Sequence, residues 1–272
     1  MITCNILGPG EMNNGLGNQM FCVATTLALA WDNDDVAVFP DLNFPPFDFY
    51  GKTMFHKLKK EPLKENFVKL HYKEKDYSST IFENISYENN LCINGHFQSY
   101  KYFQNYEEEL KEVFSLPKHI LNSVRDRYKN ILALKNPVSI HVRRGDYISD
   151  SKLYKRFTIL SEDYYSKALE LAGDYDSVII FSDDIEWCKN NLNYIEVEKF
   201  FIENEADIID LYLMSQIKKN IIANSSFSWW SAFLNPHKDK KVIAPWNWFG
   251  PRRAENNKVE TKDLIPESWE RI

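Results

Sequence analysis

Cysteine is scarce in this chain of 272 residues: Cys4, Cys22, Cys92 and Cys188 are scattered and form no C-x-x-C pair. That spread argues against a zinc knuckle or a crosslinked secreted domain and fits a reducing compartment. Positive charge is short as well, with 33 Lys and Arg against 39 Asp and Glu and a net charge of −6. General affinity for nucleic acid is therefore excluded. Long apolar runs are missing: the longest uncharged one, Met20 to Trp31, falls short of the roughly 20 residues a membrane helix needs. The opening Met1-Ile-Thr-Cys-Asn-Ile-Leu7 has neither a basic region nor a long apolar core, so it does not read as a signal peptide. The expectation is a soluble cytoplasmic protein with no transmembrane segment, peripheral association with a membrane surface being left open. On that view the sequons at Asn84 and Asn224 carry no glycan. Neither a G-x-G-x-x-G fingerprint nor a Walker loop occurs, so no Rossmann dinucleotide site or NTPase is inferred.

What is present centres on Ser139-Ile-His-Val-Arg-Arg-Gly-Asp-Tyr147. The apolar stretch Val138 to Val142 reads as a buried strand, whose alternation sends His141 and Arg143 to one face and Arg144 to the other. Two adjacent guanidiniums at a strand end cannot be buried unpaired. A planar, permanently charged fork in that position suits a carboxylate or a phosphate. An Arg–carboxylate pair internal to the fold is the alternative.

The flanking pattern is alternating strand and helix. Ile2 to Leu7 reads as a strand, followed by a glycine-rich turn through Gly15 and Gly17 and a helix from Asn18 to about Trp31. A turn of this kind at a helix start lets backbone amides approach a phosphate, although the two glycines serve a tight turn equally well. Val36 to Phe39 and Leu91 to Asn94 read as further strands. Asp41 to Tyr50 reads as irregular and residues 51 to 90 as surface excursions. Helices are expected at Asn105 to Phe114 and from Pro117 to about Lys129. Beyond the charged segment Arg125 to Lys135, a loop runs from the Val138 strand to about Leu160, and Ser161 caps a helix. Strands follow at Ser177 to Phe181, Asn193 to Val197, Lys219 to Ala223 and Lys241 to Ala244. Between them lie helices at Ile185 to Asn191, Glu205 to Gln216 and Phe227 to Leu234. This alternation predicts an α/β fold with parallel sheets and right-handed crossovers. The expected division is 1–130 and 131–272, with the final segment free to pack back on the first domain.

In parallel sheets, ligands collect outside the carboxyl ends of the strands. Three such ends carry unusual polar residues: Arg143 to Asp146, Ser182-Asp183-Asp184, and Asn224-Ser-Ser-Phe-Ser-Trp-Trp230. The serines Ser225, Ser226 and Ser228 around Phe227 could cradle an anion or simply cap a helix. Asp183 suits a ribose hydroxyl or the donor edge of guanine, or is an ordinary loop aspartate. Taken together these ends describe a nucleoside diphosphate site. The D-x-D pairs Asp32-Asn-Asp34 and Asp174-Tyr-Asp176 precede expected strands, at the opposite side of the sheet, so the reading requires no metal.

Four motifs now carry a resemblance over nearly the whole chain: Gly15-Leu-Gly-Asn-Gln-Met-Phe21, His141-Val-Arg-Arg-Gly-Asp-Tyr147, Asn224-Ser-Ser-Phe-Ser-Trp-Trp230 and Val242-Ile-Ala-Pro-Trp-Asn-Trp-Phe249. The chain resembles glycosyltransferase family 11, the inverting α-1,2-fucosyltransferases. The resemblance implies a GT-B-type fold of two Rossmann-like domains with parallel sheets. GDP-β-L-fucose would be bound by the C-terminal domain, with a galactose-terminated oligosaccharide approaching from the first. It implies no metal and no cofactor beyond the donor substrate. It places Arg143 on the β-phosphate and His141 and Asp183 near the nucleoside. Gly15, Gly17 and Asn18, with Ser225, Ser226, Phe227 and Ser228, would close on the diphosphate. The sequence departs from the family pattern at Asn14, at Cys22 and in an inserted Gly10-Glu-Met-Asn13 run, which bears on acceptor preference. The implied reaction is an in-line displacement by the 2-hydroxyl of galactose, Arg143 stabilising the departing phosphate oxygen. Asp146 is either the base or a salt-bridge partner of an arginine. Alternatives are a fucosyltransferase of the same superfamily with another acceptor or linkage, and a non-catalytic nucleotide-sugar or glycan-binding protein.

Overall fold

The computed structural model describes residues 1–6, 15–63, 70–75, 80–250 and 260–272. Leu7, the expected end of the first strand, and the inserted run Gly10-Glu-Met-Asn13 with Asn14 lie outside them. The chain divides into two compact units, Met1–Leu121 with Glu260–Leu264, and Asn122–Val259 with Ile265–Ile272.

The first unit is built on a three-stranded parallel sheet of β1 (Ile2–Cys4), β2 (Leu70–Lys73) and β3 (Leu91–Asn94), with β3 in the middle. Between β1 and β2 lie α1 (Leu16–Asp32) and the short α2 (Asp48–Lys52), and α3 (Glu107–Val113) follows β3. The α1 segment holds no proline and only one glycine, Gly17, and its dense Ala and Leu bury 13 of 17 residues. Such a helix takes its stability from tertiary packing, not from its own propensity. The strand expected at Val36 to Phe39 reduces to one parallel bridge, Ala37 to Ile2, held by Ile2 N–H to the Val36 carbonyl at 2.9 Å and Val38 N–H to the Ile2 carbonyl at 3.0 Å. Pro40 turns the chain into a 3₁₀ helix at once, leaving no room for a ladder. Nor is Asp41 to Tyr50 irregular throughout, because it contains that turn and the start of α2. The reading of 51–90 as surface excursions is corrected too: Met54, Phe55, Leu58 and Ile85 are core residues and β2 is a strand.

The second unit carries a six-stranded parallel sheet. Its elements in order are α4 (Lys118–Arg127, which begins in the first unit), α5 (Lys129–Leu132), β4 (Pro137–Val142), α6 (Gly145–Ser149), α7 (Ser151–Arg156), α8 (Glu162–Ala172) and β5 (Ser177–Ser182). They continue with α9 (Ile185–Asn191), β6 (Glu198–Phe201), α10 (Asp207–Ser215), β7 (Lys219–Ile221), α11 (Ser226–Phe233), β8 (Lys241–Ala244) and β9 (Glu270–Arg271). The strand order is β6-β5-β4-β7-β8-β9. On one face Val138, Ile140 and Val142 join Val178, Ile180, Ile221 and Ile243 against Tyr165, Ala168 and Leu169 of α8. On the other face a polar network crosses the sheet. Asn220 Nδ2 donates to Ser139 Oγ at 2.6 Å and to the Met214 carbonyl at 2.9 Å, while Asn235 Nδ2 donates to Asn220 Oδ1 at 2.8 Å.

Three expectations in this unit are corrected. The loop from Arg143 to Leu160 contains α6 and α7, the second capped by Asp150 Oδ1, which accepts from Lys152 N–H at 2.7 Å. The strand expected at Asn193 to Val197 lies instead at β6, because Ile195 leaves the strand path and packs into the core. Ser161 stands at the N-cap of α8, but its side chain makes no cap hydrogen bond. No helix among the described residues is long and apolar enough to cross a membrane.

Candidate active site

Strand numbering along the sheet runs outward from β4 through β5 and β6 in one direction and from β7 through β8 and β9 in the other. The connection therefore reverses between β4 and β7, and a crevice outside the carboxyl ends of the strands forms at such a switch point. The residues at those two ends and at the neighbouring end of β5 are the three polar clusters of the sequence.

At the end of β4, Arg143 extends its fork to two carboxylates. Nη2 lies 2.8 Å from Asp146 Oδ1 and Nη1 2.9 Å from Asp183 Oδ2. Asp183 also accepts the Arg144 backbone N–H through Oδ1 at 2.9 Å. Gly145 makes this contact possible: a Cβ there would stand 2.8 Å from Asp183 Oδ2. Arg144 turns the other way, its guanidinium 3.8 Å over the Trp187 ring and its Nε 3.4 Å from Asp184 Oδ2. Stacking on an indole and pairing with an acid anchor this side chain to α9. Arg143 is the more exposed of the two arginines, at 30% against 17%.

His141 is buried beneath the fork, its ring 5.6 Å from Phe227 of α11. Burial, reinforced by the Arg143 charge and opposed by Asp183, pulls its pKa down to about 3. The imidazole is thus neutral at physiological pH, and its Nδ1 has no partner among the described residues. The Asn224 side chain, also buried, donates through Nδ2 to the Thr158 carbonyl at 2.9 Å and the Trp248 carbonyl at 2.7 Å, while its Oδ1 has no partner there. Buried polar atoms are nearly always satisfied, so His141 Nδ1 and Asn224 Oδ1 are both able to take a hydrogen bond at the switch point.

Strand β7 ends at Ile221 and α11 begins at Ser226, with Ser225 at the N-cap, a position that Ser and Asn favour. Trp229 and Trp230 are completely buried. Trp229 stacks on Phe233 at 5.0 Å and 13°, and burying such rings stabilises by about 2–3 kcal/mol each. The tryptophans anchor the helix at the end of β7, and the amides of a first helical turn have no intrahelical acceptors. Ser225 makes no cap hydrogen bond. Ser228 Oγ lies within 3.5 Å of the Ala223 carbonyl and 3.4 Å of the Ser225 carbonyl, which makes it a brace of the turn. Tyr147 ties the two strand ends together, donating from its hydroxyl to the Asn224 carbonyl at 3.1 Å.

Arg143, Asp146, His141, Asp183 and the Ser225–Ser228 turn with Phe227 thus lie together in the second unit. Gly15, Gly17 and Asn18 lie in the first unit, at the start of α1. A methyl group on exposed Gly15 would meet no described atom within 4 Å, so packing does not demand glycine there. Asn18 Oδ1 accepts from Gln98 Nε2 at 2.7 Å. Sequence reasoning set Asn224 among the polar strand ends without giving it a role of its own, and passed over Tyr147 and Trp187. Tyr147 stands inside a quoted motif, which was a signal, whereas Trp187 meets Arg144 only through the fold.

The family model described as glycosyl transferase family 11 matches residues 10–269. An O-antigen biosynthesis glycosyltransferase, WbnK of Escherichia coli, is 36% identical over 68% of this chain and 62% of its own length. An α-1,2-colitosyltransferase of the same organism is 32% identical over 96% of this chain and 97% of its own. The bovine galactoside 2-α-L-fucosyltransferase SEC1 is 24% identical over 80% of the chain and 62% of its own length. Among solved structures, the α-1,6-fucosyltransferase NodZ soaked with GDP-fucose superposes with a TM-score of 0.54 at 14% identity, covering 82% of this chain and 90% of its own. POFUT1 in complex with GDP gives 0.51 at 12%, covering 89% and 97%. At such identities these two show the fold alone, and the GT-B-type class read from the sequence holds.

Proposed function

Because the chain belongs to glycosyl transferase family 11, we propose that it is an inverting fucosyltransferase acting without a metal ion. It moves L-fucose from GDP-β-L-fucose to the 2-hydroxyl of a terminal galactose in a glycan, forming an α-1,2 linkage. The observation that carries this reading is Arg143, held at the switch point of the six-stranded sheet beside the first turn of α11.

The attacking hydroxyl forms a bond to C1 of the sugar as the C1–O bond to GDP breaks, and the electron pair goes to the β-phosphate oxygen. Arg143 and the α11 amides meet that charge where it develops. The diphosphate reaches the fork by displacing a carboxylate, which frees Asp183 for a ribose hydroxyl or the guanine edge. Asp146 either keeps its pairing with Arg143 and holds it in line, or leaves it and accepts the proton of the attacking hydroxyl. His141 adds no charge, since burial keeps it neutral, and serves as a hydrogen-bond partner of the nucleoside.

A second reading keeps the chemistry and changes the sugar. The colitosyltransferase relative, matched over 96% of this chain, favours a GDP-colitose donor, which lacks the 3-hydroxyl of fucose. A site built to hydrogen-bond that hydroxyl would reject the deoxy sugar by about 10⁴–10⁵. Incubation with each donor and a panel of galactose-terminated oligosaccharides, with linkage fixed by NMR, separates the two. Transfer that persists in EDTA supports the metal-free reading, and loss restored by manganese refutes it. Binding of GDP without transfer from either donor to any acceptor refutes the transferase reading.

A further inference from the structure

A second groove, of about 290 Å³, lies wholly within the first unit. It runs along the carboxy-terminal half of α1, from Thr25 to Asp32, and is closed by the segments around Phe82 and Tyr106. At 1.5 Å per residue, Asp32 lies about 24 Å along the helix from Leu16, so the groove is at the far end of α1 from Gly15.

The lining combines ring faces with amide and carboxylate edges. The Phe82 ring is 39% exposed and meets Tyr102 at 4.9 Å. Tyr106 donates its hydroxyl to Asp32 Oδ1 at 2.6 Å, which pushes the phenol up to about 12 and keeps it a donor. Asn84 and Asn105 present exposed carboxamides, each with donor and acceptor. At the floor Thr25, 1% exposed, has an Oγ1 with no hydrogen-bond partner among the described residues. A buried hydroxyl in a groove wall costs free energy until something bonds to it.

Charge narrows the occupant. Lys101, the cation in the groove, is ion-paired with Asp263 at 2.6 Å, so a phosphate or nucleotide would meet no uncompensated positive charge. An apolar peptide would bury the exposed carboxamides of Asn84 and Asn105 and leave Tyr106 as the donor to the Asp32 carboxylate, with no new polar partner in return. A pyranose satisfies both parts of the surface, with a C–H face for a ring and vicinal hydroxyls for planar polar groups. A volume near 300 Å³ is at the small end of ligand sites.

We propose that this groove is a second carbohydrate site, which binds a neutral hexose unit of a glycan away from the end that is modified. It deepens the glycosyltransferase reading and rests on it: a long acceptor offers sugar units beyond its reacting terminus for such a groove to bind. A linked second contact raises apparent affinity for long chains only.

The test uses the full chain with two variants, Phe82→Ala and Thr25→Val, the second removing one hydroxyl from an otherwise isosteric side chain. Saturation-transfer NMR and calorimetry without donor are run with a neutral galactose-terminated hexasaccharide, and KM is then measured for that acceptor and for a disaccharide. We expect ring-to-sugar saturation transfer in the parent protein and about five-fold weaker binding in Phe82→Ala, the effect of one exposed ring contact. KM should rise for the hexasaccharide and stay unchanged for the disaccharide, with kcat unaltered. Hexasaccharide affinity unchanged in both variants overturns the proposal, and so does an equal rise in KM for both acceptors. If no donor supports transfer, the binding arm still decides the groove, so failure of the enzymatic reading is distinguished from failure of this one.

Discussion

Replacing Arg143 by alanine is the sharpest perturbation of the proposed chemistry. Its fork makes two contacts, at 2.8 Å to Asp146 and 2.9 Å to Asp183. Both carboxylates remain partly exposed, at 44% and 25%, so water screens them once the cation is gone. The folded state should then lose only about 1 kcal/mol, a few degrees at most in the melting midpoint of a chain this long. The reaction should suffer far more. A preorganised donor aimed at a developing oxyanion supplies about 2.7–4 kcal/mol, so kcat should fall by about 10²–10³. Because that interaction strengthens in the transition state, kcat and kcat/KM should fall together. Arg143→Lys keeps the charge but offers a point in place of a fork, and should fall between alanine and the parent. The assay is initial-rate GDP release with a galactose-terminated acceptor, beside a melting curve on the same preparations. An alanine variant that melts normally and keeps a third or more of the parent rate refutes the assignment.

Other consequences concern the frame around the site. Tyr147→Phe keeps the stack on Phe157, at 4.4 Å and 4°, but orphans the buried Asn224 carbonyl, and should cost about 1–2 kcal/mol in urea denaturation. Asn220→Ala removes the Asn220 hydrogen bonds to Ser139, the Met214 carbonyl and Asn235 together, while Asn235 keeps the Ile217 carbonyl and Ser139 the Lys219 carbonyl, and a loss of about 2 kcal/mol is expected in the same experiment. Asp210 has its pKa raised from 3.8 to about 7, by burial first and then by the charges of Glu205 and Asp207. Between those values the folded state binds more protons than the unfolded one, so this group makes stability decline as pH rises from about 4 to 7. Asp210→Asn should flatten that decline in melting curves taken across the interval, and an unchanged pH slope refutes the reading.

Legibility in the sequence followed burial. The central strands β3, β4 and β8 announce themselves as short apolar runs bounded by turn residues, and the structure places them where those runs lie. Outer strand β1, an apolar run, is legible too, but three other outer strands are not. Strand β2 has only Tyr72 partly buried, β9 is two polar residues long, and β6 begins with Glu198 and Lys199, so none shows a period to read. Each is strand because a neighbour supplies a ladder, which is a tertiary fact. Ile195 and Val197 alternate as a strand would, and misled for that reason. The site divides in the same way. Arg143, Asp146 and His141 share one motif, whereas the pairing of Arg143 with Asp183 and the stacking of Arg144 on Trp187 join positions about 40 residues apart. Only the register of β4 beside β5 brings them together.

The switch point also dictates an order of assembly. During synthesis β5 emerges soon after β4, while β7, the other neighbour of β4, is about 80 residues away. Pairings across such distances close slowly, and chains fold from the amino end as they are made. The carboxylates that reach the two guanidiniums from Asp183 and Asp184 arrive with β5, ahead of the α11 turn. The arginines are therefore never left as bare charges in a half-built sheet. In the proposed reaction Asp183, which guards Arg143 in the nascent chain, is also the acid that the diphosphate displaces.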